Sequence, residues 1–160
     1  MTSEFELHDG DRFLNFVLGD NQYAIPLLTV VEVIAVPSFT PFPKSPKYFV
    51  GITDLRGQVI PVLDLRKKLG IELSKDNSNE AVIIIRLGEY SLGVLVDSVE
   101  SVLTPKSDEV SPPPSWLYED SSFILAVFKM NLGMVLLIDI INILDQNDWK
   151  SLKKALGKAA

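Results

Sequence analysis

Two residues of opposite charge, Glu32 and Arg56, stand out because each interrupts a stretch that is otherwise apolar and strand-forming. Long charged side chains are rarely buried in such settings unless they are paired. An arginine and a carboxylate can meet as a fork-like ion pair with two parallel hydrogen bonds. The sequence leaves two interpretations open. A contact between them would be either a polar contact at a protein interface, where arginine is enriched, or a salt bridge that only holds the fold.

Residues that could support catalysis or bind a metal are few. His8 is the only histidine, there is no cysteine, and we expect His8 to be solvated in the N-terminal segment. The carboxylate pairs Asp108–Glu109 and Glu119–Asp120 lie beside proline-rich loops without a nearby base. Acid–base catalysis needs a carboxyl group whose pKa is shifted by burial. No glycine-rich phosphate loop occurs. The sequence therefore predicts no enzyme, no metal site and no cofactor.

The composition is that of a packed, acidic domain. Of 160 residues, 47% are apolar, the net charge is −6, and the pI is about 4.7. Binding to a phosphate backbone requires clustered Lys and Arg, so nucleic acid is excluded as a partner. The acidic N-terminus does not resemble a signal peptide, and the apolar run Met134–Ile141 is too short to span a bilayer. We expect a cytoplasmic protein without direct membrane insertion.

The segment from residue 46 to residue 70 carries the most distinctive pattern. An apolar strand runs into the turn Asp54-Leu55-Arg56-Gly57, and a second apolar strand leaves it and ends at Asp64. Gly57 suits a turn with positive φ, and Asp64 suits the N-cap of a short helix. Gly51 lies in an extended run, where glycine is otherwise unfavourable. Its presence indicates the close approach of another backbone or of a partner.

Short apolar runs bounded by Gly, Pro, Asn and Asp predict a chain built mainly of strands. Helices are predicted after Asp64, over 139–144 and over 148–158, where Trp149 and Leu152 fall at helical spacing. The predicted strands are Phe13–Leu18, Tyr23–Ile25, Val30–Val36, Val50–Leu55, Val59–Leu63, Ala81–Leu87, Tyr90–Asp97, Val99–Leu103, Phe123–Met130 and Met134–Ile138.

The two halves of the chain repeat weakly. The run from Phe16 through Gly19 is echoed from Ile85 through Gly88, and the run from Gly57 to Asp64 is echoed from Gly133 to Asp139. Each half holds about five short strands and a closing helical turn. Strands of this length and spacing favour small barrels, which remove exposed edges by closure. The repeat therefore predicts a mainly β fold of two small five-stranded barrels on a shared hydrophobic core.

The Asp-Leu-Arg-Gly turn followed by Pro61-x-x-Asp64-Leu-Arg resembles the signature of CheW-type coupling proteins of bacterial chemotaxis. This chain has Asp54 where the family usually has Asn. The resemblance covers roughly residues 13–144. It implies two interleaved SH3-like β-barrel subdomains, about 13–73 and 80–146, within a domain spanning 13–146. A flexible segment, 1–12, is expected before that domain, and a C-terminal helix or tail, 147–160, after it.

The same resemblance implies that Glu32 and Arg56 lie close to each other, and it implies two protein partners and the residues that meet them. One partner is the cytoplasmic tip of a methyl-accepting chemotaxis receptor, and the other is the regulatory domain of a CheA-type histidine kinase. Phe39 and Thr40 are the expected kinase-binding residues. The protein is expected to be a monomer when isolated and to be recruited to membrane-associated receptor arrays. The expected receptor-binding residues, which line a groove between the barrels, are Leu27, Val30, Glu32, Gly51, Asp54, Arg56, Val94 and Val96.

Two classes of function remain to be compared. The first is a non-enzymatic adaptor that holds a receptor and a kinase on separate surfaces. Within this class, the output is either chemotaxis or a related pilus-motility or non-motility pathway. The second class is a β-barrel that binds a small molecule. It is disfavoured because the sequence lacks a nucleophile with its base, a metal-ligand set and a phosphate loop.

Overall fold

The computed structural model describes residues 5–73, 76–115 and 123–159. The predicted pair Glu119–Asp120 lies outside these ranges. Eleven strands and three helices occur within them. The strands are β1 (Phe13–Leu18), β2 (Asn21–Pro26), β3 (Val30–Ala35), β4 (Phe49–Leu55), β5 (Gln58–Asp64), β6 (Ala81–Leu87), β7 (Tyr90–Val96), β8 (Ser98–Leu103), β9 (Val110–Ser111), β10 (Ile124–Met130) and β11 (Gly133–Ile138). The helices are α1 (Leu65–Leu69), α2 (Ile140–Ile143) and α3 (Gln146–Ala159).

The strands form two sheets, which confirms the predicted mainly β class. A six-stranded sheet has the order β8-β1-β2-β11-β10-β9, and a five-stranded sheet has the order β3-β6-β7-β5-β4. The sixth strand is the two-residue β9, which is absent from the predicted strands. The parallel contact is β2 with β11 in one sheet and β7 with β5 in the other. The internal repeat is thus visible in the strand order.

Each half of the chain gives its first hairpin to the sheet of the other half. The β1–β2 hairpin lies between β8 and β11, and the β6–β7 hairpin lies between β3 and β5. Each sheet therefore combines strands from both of the ranges 13–73 and 80–146. The physical reason is that a hairpin fixes only its own pairing, whereas the outer edges of both of its strands are free to pair with distant segments.

Three apolar clusters account for the faces of the two sheets. In β6, Ile83 and Ile85 face a large cluster shared by both sheets, whereas Val82 and Ile84 face a smaller cluster belonging to the five-stranded sheet. The six-stranded sheet has its own cluster around Phe13 and Phe128. Because neighbouring residues of a strand point to opposite faces, strands buried on both faces must be almost continuously apolar. This explains the high apolar content.

The segment before β1 is packed where the structure describes it. The Phe5 ring lies against Phe13 and Phe128, with centroid distances of 6.0 Å and 6.5 Å, and Leu7 packs on the same cluster. Phe5 and Leu7 thus attach part of the segment 1–12 to the six-stranded sheet, and the flexibility expected for that segment stays a prediction. His8 is exposed as expected.

The C-terminal helix α3 is held on the body of the protein by a buried polar group. Asp148 is fully buried, and its carboxylate accepts hydrogen bonds from the Tyr48 hydroxyl and from Lys68 Nζ, the latter at 2.8 Å. Leu152, one turn further, is buried in the shared cluster. Burial lowers the pKa of Lys68, but its hydrogen bond and charge interaction with Asp148 outweigh burial and raise the pKa overall.

Candidate functional site

The predicted partners Glu32 and Arg56 are in contact. The Arg56 guanidinium donates from Nη2 to Glu32 Oε1 and, more weakly, from Nη1 to Oε2 at 3.4 Å. β3 supplies Glu32, and the hairpin between β4 and β5 supplies Arg56. The pairing of Leu55 with Gln58 leaves only Arg56 and Gly57 in this hairpin turn, with φ values of 51° and 83°. Positive φ at both central residues defines a type I′ turn.

The backbone of Arg56 is strained, because a non-glycine residue in the left-handed region costs about 1–2 kcal/mol. The Arg56 side chain is 70% exposed and that of Glu32 is 27% exposed. The hydrogen bond with Glu32 raises the pKa of Arg56 above its ordinary value. An exposed ion pair adds little stability. The geometry therefore favours an interface contact over a salt bridge that only holds the fold.

Asp54 serves the turn through the acceptor that Asp and Asn share. Its Oδ1 accepts a hydrogen bond from the Gly57 amide at 2.8 Å. An asparagine oxygen at this position would accept the same bond. The Asp found here therefore preserves the turn.

The backbone that approaches Gly51 belongs to this chain. The residue is buried with φ of +150°, and a Cβ added there would overlap the carbonyl group of Thr40, lying 2.9 Å from its carbon. Thr40 and Ile52 exchange two backbone hydrogen bonds of 2.8 Å across this contact. The absence of a side chain at Gly51 thus allows the loop before β4 to pack directly against it. Placing it among the receptor-binding residues is not supported, since no free surface is left at its α-carbon.

The apolar residues predicted for the receptor groove divide into two groups. Leu27 and Val30 are half-buried and pack against the shared cluster. Val94 and Val96 are fully buried in that cluster, so their assignment to a binding surface is wrong. Both lie in the centre strand β7, which is covered on both faces. The sequence does not show this, because the exchange of hairpins decides which strand is central.

Three exposed apolar side chains lie close to Glu32 in the sequence. Val31 and Val33 flank Glu32 in the edge strand β3, and Leu28 is 99% exposed in the 3₁₀ turn that precedes it. Sequence reasoning missed Leu28. The signal was present, since Pro26 and Thr29 mark a break between two strands, where an apolar side chain has no core to enter.

A groove of about 210 Å³ opens between the two sheets near this turn. Its wall is largely apolar, and its residues include Pro26, Thr29, Ile85, Arg86, Leu125 and Ile141. We call it the Ile141 groove. Small-molecule sites usually measure about 300–1,000 Å³. The volume suits one or two side chains of a protein partner better than a small-molecule ligand.

The predicted kinase-binding residues lie in the loop before β4. Thr40 has an exposed side chain on a backbone fixed by its pairing with Ile52. Phe39 is half-buried against the cluster of the five-stranded sheet. Thr40 is thus available to a partner, whereas Phe39 mainly anchors the loop.

A buried charge cluster went unrecognised in the sequence. Arg66, on α1, is 3% exposed and contacts three carboxylates. The distances are 3.0 Å to Asp64, 2.7 Å to Glu80 and 2.7 Å to Asp97. We call these four residues the Arg66 cluster. Burial by itself lowers the pKa of Arg66, but the hydrogen bonds with Asp64 and Asp97 outweigh it and raise the pKa overall. The Arg66 cluster is therefore a set of salt bridges that holds the fold, the role that the sequence analysis had considered for the Arg56–Glu32 pair.

Within the three described ranges, no group of three or more His, Cys, Asp or Glu residues is placed to hold a metal ion. No helix in this part of the chain is long and apolar enough to cross a membrane. An exposed ion pair on a strained turn, neighbouring apolar side chains and a small groove define a mainly β adaptor or scaffold domain.

The CheW-like domain family matches residues 12–148, so the chain belongs to that family. The chain is 28% identical over 136 residues to the chemotaxis protein CheW of Helicobacter pylori, covering 85% of this chain and 82% of that protein. It is 29% identical over 140 residues to CheW of Klebsiella aerogenes, covering 87% and 84%. Membership places the chain among the coupling adaptors of chemotaxis signalling.

The crystal structure of the scaffolding protein CheW from Thermoanaerobacter tengcongensis is similar to this fold. The TM-score is 0.78 at 28% identity, and the match covers 86% of this chain and 94% of that one. FrzA of Myxococcus xanthus is 31% identical over 103 residues, 64% of each chain. The two-sheet architecture is therefore shared with a solved member of the family.

Proposed function

We propose that this adaptor couples the cytoplasmic tip of a methyl-accepting chemotaxis receptor to the regulatory domain of a CheA-type histidine kinase. The observation that carries the proposal is the Arg56–Glu32 pair. Its arginine is exposed and its backbone is strained, which is typical of residues kept for function and not for stability. The protein acts as a monomer, in the cytoplasm, and joins receptor arrays through its partners.

The receptor binds along β3 and the Ile141 groove. Glu32 and Arg56 supply a polar contact, and Leu27, Leu28 and Val30 supply the apolar surface around it. This combination suits an amphipathic helix, which places apolar side chains in a groove and polar ones at its rim. Asp54 supports this surface indirectly, by holding the turn that presents Arg56.

The kinase regulatory domain binds at the loop that carries Thr40, with Phe39 anchoring the loop from below. Replacing Thr40 with Arg adds bulk and charge at an exposed side chain while leaving its backbone bonds to Ile52 in place. Association with the kinase domain is expected to fail while receptor binding and melting temperature stay unchanged. Loss of both bindings together, with a normal melt, would show that the two surfaces are not separate.

The central experiment is a three-component reconstitution with the purified chain, a receptor signalling-tip fragment and the kinase with its regulatory domain. We expect kinase activity to respond to the receptor fragment only when the chain is present. An Arg56→Ala chain should fail to couple, and Lys129→Ala, an exposed cation on the β10–β11 hairpin, serves as the control. Unchanged coupling by Arg56→Ala would remove the pair from the receptor site.

The pathway that the adaptor serves is a second question. It arises because one relative, FrzA, is not named as a chemotaxis protein. Co-purification of the tagged chain from its own cells identifies the receptor and kinase that it joins. A kinase from a pilus-motility or other pathway would redirect the proposal without changing its mechanism.

The adaptor has no catalytic activity of its own in this proposal. The purified chain should neither transfer phosphate nor hydrolyse a nucleotide. Activity that persists through purification and is lost with a point substitution would contradict this.

A further inference from the structure

The internal repeat gives the molecule two equivalent ends, and they are built differently. Asp64 and Asp139 are equivalent N-caps, each accepting a hydrogen bond from the amide two residues later. Arg66 and Ile141 are therefore equivalent, because each lies two residues after its N-cap aspartate. Gly19 and Gly88 are equivalent hairpin glycines with φ of 62°.

At the end that carries Arg66, polar bonds join the two sheets. Asp97 accepts from Arg66 through Oδ1 and from the Gly19 amide through Oδ2, at 2.7 Å and 2.6 Å. Asp97 continues from β7 of the five-stranded sheet, and Gly19 belongs to the β1–β2 hairpin of the six-stranded sheet. The side chain of Ile71 packs so closely on Gly19 that a Cβ there would lie 2.8 Å from it. The hairpin of one sheet is thus fixed to the other.

At the opposite end, both polar groups are replaced by exposed apolar ones. Ile141 is the equivalent of Arg66. Leu28 is the equivalent of Asp97, because Leu28 follows Gly19 by nine residues and Asp97 follows Gly88 by nine residues. Their exposures are 53% and 99%. A Cβ on Gly88 would meet nothing within 4 Å among the described residues. The Ile141 groove lies here, and its lining is largely apolar, with Thr29, Arg86 and Asp139 among the polar residues.

We propose that the Arg66 cluster is a fixed pivot, and that Arg66 and Asp97 are positioning residues that set how far the Ile141 groove opens at the other end. The inference rests on the proposed function in that the groove takes a receptor side chain. A buried, fully bonded arginine has one geometry, because breaking either side exposes an uncompensated charge. Apolar contacts around a partly filled groove permit small displacements at much lower cost.

The absence of cysteine from the chain allows spin labels to be placed at matched positions. Asp20 and Lys67 lie on the exposed surface at the Arg66 end. Glu89 and Asn142, also exposed, are their equivalents at the groove end. Each pair is converted to cysteine and labelled, and its distance distribution is measured by pulsed dipolar spectroscopy in the full chain. We expect a narrower distribution for Asp20/Lys67 than for Glu89/Asn142.

Saturation with the receptor signalling-tip fragment should shift the Glu89/Asn142 distance and leave the Asp20/Lys67 distance in place. Equal widths in the free protein, or a shift at the Arg66 end, would overturn the proposal. If the fragment does not bind, the proposed function fails, while the widths in the free protein still decide whether the pivot exists.

Substitutions test the positioning role directly. Asp97→Leu introduces the residue type found at the equivalent position and removes the bond to Gly19. The Asp20/Lys67 distribution should broaden to the width of the other pair, and receptor affinity should fall about tenfold, within the usual range of coupling between sites. Asp97→Asn, which keeps an oxygen for the Gly19 amide, covers the case in which the leucine variant does not fold.

Glu80→Gln is the matched control. Glu80 binds Arg66 at 2.7 Å, whereas the Gly19 amide donates its hydrogen bond to Asp97. Its replacement should lower stability without broadening the Asp20/Lys67 distribution or weakening receptor binding. Broadening in this variant as large as in Asp97→Leu would reduce the cluster to a general stabilising role.

Discussion

Two arginines ten residues apart, Arg56 and Arg66, belong to the same short signature and have opposite environments. Arg56 lies on a strained turn with its side chain 70% exposed and one carboxylate partner. Arg66 is 3% exposed among three carboxylates. The same side chain therefore serves two purposes, since solvent weakens an exposed pair and leaves it free to exchange partners, whereas burial makes the pair obligatory. In our proposal, exposure therefore distinguishes the arginine that binds a partner from the arginine that stabilises the fold.

Arg66→Ala should give the largest loss of unfolding free energy among these variants. A small loss would contradict the distinction between the two arginines. Removing the cation leaves buried carboxylates without their partner, which costs about 3–5 kcal/mol of unfolding free energy. Chemical denaturation measures the loss. Arg66→Lys, which keeps one charge but not the three-way contact, should fall between this variant and the native chain. A loss below about 1 kcal/mol, the level of a surface pair, would mean that burial does not distinguish the two arginines.

Gly51→Ala tests whether Gly51, in the strand β4 that leads to the Arg56 turn, contributes to stability and not to partner binding. The added methyl group meets the Thr40 carbonyl, and the backbone has φ of +150°. A strained backbone costs about 1–3 kcal/mol, and displacement of a packed neighbour adds to it. Denaturation and amide exchange of Ile52 report the loss. Gly57→Ala is the control, with positive φ but no described atom within 4 Å of the added Cβ, and should cost only the conformational part, about 1–2 kcal/mol.

Arg56→Ala sharpens the comparison from the exposed side. The melting temperature should stay close to that of the native chain, while receptor affinity falls about thirtyfold, as for an arginine hot spot. Both are measured on one preparation. Glu32→Gln, which keeps a hydrogen-bond acceptor but no charge, should lose less affinity. A collapsed melting temperature with unchanged affinity in the remaining folded protein would assign Arg56 to the fold.

The smallest expected effect is a change of stability with pH that involves Lys68, two residues after Arg66 on α1. Lysine can lose its proton at high pH, whereas arginine does not. The pKa of Lys68 is raised, so the folded state holds this proton more tightly. The resulting stability is complete below the ordinary lysine pKa of about 10.4 and is lost as pH rises above it. The pKa of Tyr48 is raised by burial and by Asp148, in the same direction. The NMR signal of the Trp149 indole should report release of α3 in this range, and Lys68→Arg should delay it.

Much of the fold was predictable because it depends on local patterns. The strand Phe13–Leu18 and the strand Ala81–Leu87 have the predicted bounds, since turn residues mark both ends. The order of strands in the sheets was not predictable. Hairpin exchange depends on contacts between distant segments, and the same apolar alternation satisfies either arrangement. For this reason Val94 was assigned to a surface although it lies in a central strand.

The site was predictable only where chemistry was unusual for its context. Glu32 and Arg56 interrupt apolar strands, and their contact is confirmed. Arg66 and Asp97 follow strand ends, where charged residues are ordinary, so nothing in the sequence marks them as buried. The approach of Thr40 to Gly51 was expected from the glycine, but the sequence did not reveal that the approaching backbone is internal.

The exchange of hairpins also affects how the chain folds during its synthesis. Gln22 on β2 bonds to the carbonyl of Leu132, a residue 110 positions later in the sequence. During synthesis the β1–β2 hairpin therefore waits, with unpaired edges, until nearly the whole domain has left the ribosome. Contacts between such distant segments slow folding, because a long loop must close before they form. Neither half can complete its sheet alone, so the domain folds as a single unit once the strands of its second half have been synthesised.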